Sequence, residues 1–169
     1  MAEKLVEALK LSYEAEKEGL RLYLKFAKQT KVATGKDMFI QLAADEVDHL
    51  ELIERFMEKI LSGKPVEPVN VPKGRLSKFM PNLKDVSLQP VDKGVIGDEE
   101  ALKIALEHEE KAMDFYKEEA KKAQDKAVKD FFEKLAEVES KHLAIIQAEL
   151  DFLRSDGFWF DTKEFSVEL

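Results

Sequence analysis

At 169 residues the chain is long enough for one domain with a substantial core, and its 44% apolar and 37% charged residues suit a helix-rich protein in water. A net charge of −8 argues against nucleic acid or an anionic membrane surface as a partner. The absence of cysteine excludes disulfides, cysteine-ligated iron–sulfur clusters and thiolate zinc sites, so any metal must be held by nitrogen and oxygen.

The N-terminal run MAEKLVEALK is charged and lacks the apolar stretch of a signal peptide. No run approaches the roughly 18 apolar residues of a transmembrane helix. A cytoplasmic location is the default expectation. Two helical stretches come first, over 3–30 and 36–61, with a break at Val32-Ala33-Thr34-Gly35. The segment 62–97 holds all five prolines, Pro65, Pro68, Pro72, Pro81 and Pro90, which block a continuous helix. An irregular segment of this length needs a structural reason, and a crossover running along a bundle supplies one. A short helix is expected within it around Leu76–Met80. Asp98 reads as the N-cap of a third helix over 99–124, with Glu99 and Glu100 favourable in its first turn. A fourth helix spans 126–155 after a break near Asp125, and Gly157 is placed to end it.

Short connections make antiparallel neighbours, so the expected fold is all-α, an antiparallel four-helix bundle of two helical hairpins joined by a long crossover. The bundle occupies 1–155 and a tail 156–169. The tail's Phe158-Trp159-Phe160 cluster either folds back over the bundle end, the preferred reading, or contacts a partner.

Each helix spaces its inward residues alternately three and four apart, which is the seam of a bundle. The second seam reads Phe39, Leu42, Glu46, His49, Ile53, Phe56, and the fourth reads Phe132, Leu135, Glu139, His142, Ile146. The first runs Leu9, Ser12, Glu16, Gly19, Tyr23, Phe26, and the third Leu102, Ala105, Glu109, Ala112, Tyr116, Ala120. Every seam carries a glutamate where a leucine is expected. Laying the first pair on the second without a gap places Glu16 on Glu109, Tyr23 on Tyr116, Glu46 on Glu139 and His49 on His142. Roughly a third of positions 8–57 match their counterparts, the mark of a duplicated hairpin.

Glu46-Val-Asp-His49 and Glu139-Ser-Lys-His142 are both Glu-x-x-His, a spacing that puts carboxylate and imidazole on one helix face. One copy is weak evidence; two at matching seam positions, each with a hairpin partner bearing its own seam glutamate, are much stronger. A buried ionised carboxylate without a partner costs several kcal/mol. Four of them approach the whole of a typical folding stability of about 5–15 kcal/mol. The seams offer no lysine or arginine, whereas two divalent cations would cancel four charges and two neutral imidazoles would complete the coordination. The alternative is that the glutamates are protonated, hydrogen-bonded or tilted into solvent. Ser12, Gly19, Ala105 and Ala112 leave room around the glutamates. Tyr23 and Tyr116, two turns further along, read as hydrogen-bond partners of ligand carboxylates or as nearby redox-active phenols, against the plainer reading of two core tyrosines. His108 points about 100° away from Glu109 and reads as a surface histidine, while Glu14 and Glu107 lie off the seam and read as solvated.

The chain resembles the rubrerythrin-like branch of the ferritin superfamily across 5–60 and 98–153, most clearly in EKEGLRLY (16–23) and EEKAMDFY (109–116), each followed by a Glu-x-x-His helix. The ligand set is the pattern known for ferritin-like dimetal carboxylate proteins. The resemblance implies two iron ions per chain, with Glu46 and Glu139 bridging, Glu16 and Glu109 terminal, and His49 and His142 on one metal each. It implies reduction of hydrogen peroxide or dioxygen. Full-length rubrerythrins carry a cysteine-ligated rubredoxin domain. This cysteine-free chain would take electrons from a separate donor, such as a rubredoxin-type protein. Rubrerythrins also have a carboxylate three residues after the third-helix glutamate, where this chain has Ala112, which leaves a more symmetric six-ligand set. The alternative functions are iron binding or storage without sustained turnover, and a structural bundle. Manganese or zinc also suits these donors. A homodimer is the expected assembly.

Overall fold

A computed structural model describes residues 2–64, 71–72, 88–90, 96–156 and 158–160. Four long helices dominate: α1 (Ala2–Gln29), α2 (Ala33–Leu61), α3 (Ile96–Lys122) and α4 (Lys126–Asp156). α1 packs on α2 and α3 on α4, and the two hairpins meet along α1 and α3. The expected all-α four-helix bundle is the observed architecture. Two three-residue strands add to it: β1 (Leu88–Pro90) in the crossover and β2 (Phe158–Phe160) after α4 pair antiparallel, with Gln89 opposite Trp159. No helix among the described residues is long and apolar enough to cross a membrane.

The turns agree with expectation at Asp125 and differ from it at Asp98 and Gly35. Asp125 does begin α4, because its Oδ1 accepts hydrogen bonds from the backbone of Ala127 at 2.8 Å and Val128 at 3.1 Å, satisfying two free helix-end donors. Asp98, expected as the N-cap of α3, instead lies inside its first turn. Its carboxylate is taken up by tertiary partners, accepting from Thr30 Oγ1 at 3.0 Å and from Trp159 Nε1 at 3.2 Å. Gly35, expected in the interhelical break, lies within α2, which already starts at Ala33. Its value is space: a Cβ there would come within 2.5 Å of the Trp159 ring. Trp159 is fully buried, edge-on to Phe39 with centroids 5.8 Å apart. The short helix expected at Leu76–Met80 and the helix end expected at Gly157 lie outside the described residues.

The apolar core forms two clusters. One holds Tyr23, Phe26, Phe39, Leu102, Ile146 and Trp159; the other holds Leu9, Ile53, Phe56, Tyr116, Phe132 and Leu135. Each helix contributes to both, since its seam passes from one cluster to the other. The seam glutamates fall between them, so a polar layer is sealed by apolar side chains above and below.

Candidate metal centre

Six side chains meet in that layer: Glu16 from α1, Glu46 and His49 from α2, Glu109 from α3, and Glu139 and His142 from α4. All six are between 1 and 3% exposed. Ligand atoms of Glu46, Glu109, Glu139 and His142 lie within 4.8 Å of one another, and so do those of Glu16, His49 and Glu139. Glu139 therefore belongs to both groups. Both imidazoles turn Nδ1 toward the carboxylates. His49 Nδ1 lies 3.0 Å from Glu16 Oε2 and 3.2 Å from Glu139 Oε1, and His142 Nδ1 lies 3.0 Å from Glu139 Oε2. The two rings face each other at 5.8 Å.

The tyrosines close the arrangement crosswise. Tyr23 Oη donates to Glu109 Oε1, and Tyr116 Oη donates to Glu16 Oε1, so each hairpin's phenol holds the other hairpin's carboxylate. These pairs also show that α1 and α3 run antiparallel. Burial first, and then the facing carboxylates, raises both phenols well above their ordinary pKa, which keeps them protonated donors.

The ionisable groups set one another's charge. Burial, reinforced by Glu139, pushes Glu109 up to about 8, and burial with Glu16 raises Glu46 well above the carboxylate range. Burial opposes the charged form of Glu139 as well, but the imidazoles, His49 foremost, outweigh it and hold that carboxyl well below its ordinary value. Both imidazoles are raised well above the usual histidine value despite burial, His49 chiefly by Glu139 and His142 chiefly by Glu109. Two oxygens still lack a hydrogen-bond partner, Glu46 Oε2 and Glu139 Oε1. His49 Nδ1 is 3.5 Å from the first and 3.2 Å from the second, but a single ring nitrogen cannot serve both of them and Glu16. Orphaned acceptor oxygens in a buried, carboxylate-rich cluster with inward imidazoles fit hard or borderline divalent cations. Cations and protons compete for these oxygens.

Two residues of the site escaped the sequence reading. Asp45 is 1% exposed, and its Oδ2 lies 3.2 Å from His142 Nε2, so it orients that ring from behind. The available signal was its match with apolar Val138 across the repeat, which marks the position as inward-facing. His108, expected as a surface histidine, is only partly exposed. It is half-buried, edge-on to Tyr23 at 6.3 Å, with Nε2 over the backbone of Gly19. The cause is tertiary: with no side chain at Gly19, the ring can approach α1 closely. Glu14 and Glu107 are exposed and form surface ion pairs with Lys17 and Lys111.

No curated protein and no solved structure matches the chain. The rubrerythrin family profile matches residues 7–150, which span all four helices and every residue of the buried cluster. With that match and its buried carboxylate–histidine layer, the chain belongs to the rubrerythrin family of ferritin-like di-iron proteins.

Proposed function

We propose that the protein binds two iron ions in this layer and reduces hydrogen peroxide or dioxygen, taking electrons from a separate donor such as a rubredoxin-type protein. One observation carries the dimetal reading: Glu139 is shared by two buried ligand groups, as a carboxylate bridging two cations must be. Glu46 is the second bridging candidate, Glu16 and Glu109 the terminal carboxylates, and His49 and His142 the nitrogen donors. Bound as Fe(II), the pair supplies the two electrons that turn hydrogen peroxide and two protons into two waters.

The chain's own residues do the remainder. The carboxylates match the charge of the pair, Tyr23 and Tyr116 fix two of them by hydrogen bonds, and Asp45 holds the His142 ring. The apolar clusters on either side limit water, so oxidising equivalents are confined to the centre. Manganese or zinc would satisfy the same donors without the same chemistry.

Anaerobic loading with Fe(II), followed by stopped-flow mixing with peroxide or dioxygen, tests the reading, with Glu46→Ala as control. Fast oxidation by stoichiometric peroxide and cycling with an added donor support it. Slow oxidation with iron uptake continuing well beyond two ions per chain would instead establish a storage protein.

A further inference from the structure

The two flanks of the centre are closed differently. On α3 the residue three after Glu109 is Ala112, whose methyl group belongs to the buried apolar cluster with Tyr116 and Leu135. The matching residue three after Glu16 is Gly19, which has no methyl group to offer. A Cβ at Gly19 would lie 2.6 Å from His108 Nε2 and 3.2 Å from Glu46 Oε1. The gap left by the glycine is thus bounded by a histidine ring on one side and a carboxylate of the centre on the other. The counterpart of His108 in the repeat is Ala15, too short to span such a gap.

His108 is half-buried, while Glu46 is 1% exposed. The ring therefore meets water on one side and covers a buried carboxylate on the other. Its inner edge rests on Tyr23, at an interplanar angle of 87°. Tyr23 is itself fixed by its hydrogen bond to Glu109 and by stacking on Phe39 at 6.4 Å. The cover sits against a rigid wall but hangs from two rotatable bonds, and its solvent-facing side leaves room for a change of rotamer. The Ala112 methyl has no comparable freedom.

We propose that His108 is the movable cover of an access path over Gly19, past which divalent metal ions and small oxidants such as hydrogen peroxide reach the centre. Rotation of the ring away from α1 uncovers Glu46 Oε1, the first carboxylate oxygen on that path, and Gly19 leaves the path open behind it. The proposal rests on the reading of the six residues as a dimetal site, but on no redox activity.

Co(II) is the probe, because its visible absorption reports coordination without electron transfer. Uptake is followed by stopped flow, release by dilution into excess EDTA, and stoichiometry and affinity by titration. In His108→Ala both uptake and release should accelerate about tenfold or more, as lowering one barrier speeds both directions. Affinity should stay within about twofold of wild type, because a cover changes rates and not the equilibrium. His108→Phe, with a ring of similar size and no nitrogen, should restore slow exchange. Unchanged rates in His108→Ala would overturn the proposal. So would a loss of affinity or of one bound ion, which would make His108 a ligand, or fast exchange in His108→Phe. A wild-type chain that takes up no Co(II) would instead fail the dimetal reading, and the titration reports that before any rate is compared.

Discussion

Tyr23 and Glu109 belong to different hairpins, yet the phenol of the first donates its hydrogen to Oε1 of the second inside a fully buried layer. Tyr116 returns the same bond to Glu16. This reciprocal pair ties the hairpins together at the depth of the centre and sets the orientation of both carboxylates. Tyr23→Phe and Tyr116→Phe should each destabilise the protein by about 1–3 kcal/mol, because each leaves a buried carboxylate oxygen without its donor. The quasi-twofold arrangement makes the two losses similar in size. Urea denaturation of the metal-loaded proteins measures them, and a neutral result at either site contradicts the pairing.

Glu139→Ala should abolish binding of both metal ions, since that carboxylate alone is shared by the two ligand groups. His49→Ala should weaken mainly one. Elemental analysis after loading and desalting distinguishes the cases. Retention of one full equivalent by Glu139→Ala would remove the bridging role.

Stability after chelator treatment should fall as pH rises from about 6 to 9. Glu109 is raised from an ordinary 4.5 to about 8, so the folded state holds its proton more tightly than the unfolded chain. Its contribution is complete below the unfolded value and is lost as pH climbs through about 8. Glu46, His49 and His142 are raised too and act with the same sign. Glu139, held low, acts oppositely: its contribution is present above the ordinary carboxylate range and is lost only in acid. Added metal displaces protons, so its stabilising effect should grow across the same window. Melting temperatures with and without metal test both slopes, and a chelated protein that gains stability toward pH 9 contradicts them.

Asp45→Asn should weaken the metal ion at His142 by about 10–100-fold and leave the other nearly unchanged. Asp45 stands behind His142 Nε2, whereas the matching position in the repeat is Val138, which offers no side-chain acceptor. Isothermal titration should resolve two unequal sites in the wild type. Equal loss at both in the variant would show that Asp45 acts on the whole layer.

Gly35→Ala should cost about 1–3 kcal/mol, because a methyl group there overlaps a buried ring. Trp159 is the chain's single tryptophan, so its emission reports the displacement directly. A red shift together with lowered stability is expected. An unchanged spectrum and melting curve would show that the ring does not rest on Gly35.

The sequence by itself determined the four helices, the duplicated hairpin and the residues of the polar layer. These follow from periodicity: a glutamate at a seam position must face inward, whatever lies opposite, and two aligned Glu-x-x-His turns bring imidazole and carboxylate together on one face. The break near Asp125 was legible too, although the cap that makes it came from the structure. Tertiary structure decided what each helix meets. Asp98 looked like a cap until Thr30 and Trp159, distant in sequence, competed for its carboxylate. Gly35 looked like a helix breaker until Trp159 packed against it. His108 and Asp45 lie off the apolar seam, and each gains its role from a residue on the other hairpin, Gly19 in one case and His142 in the other. The pairing of β1 with β2 depends on backbone hydrogen bonds between segments that no side-chain pattern links. Periodicity in one chain reports which way a residue faces. Only the packed bundle, in which close contact fixes neighbours to within ångströms, reports what it faces.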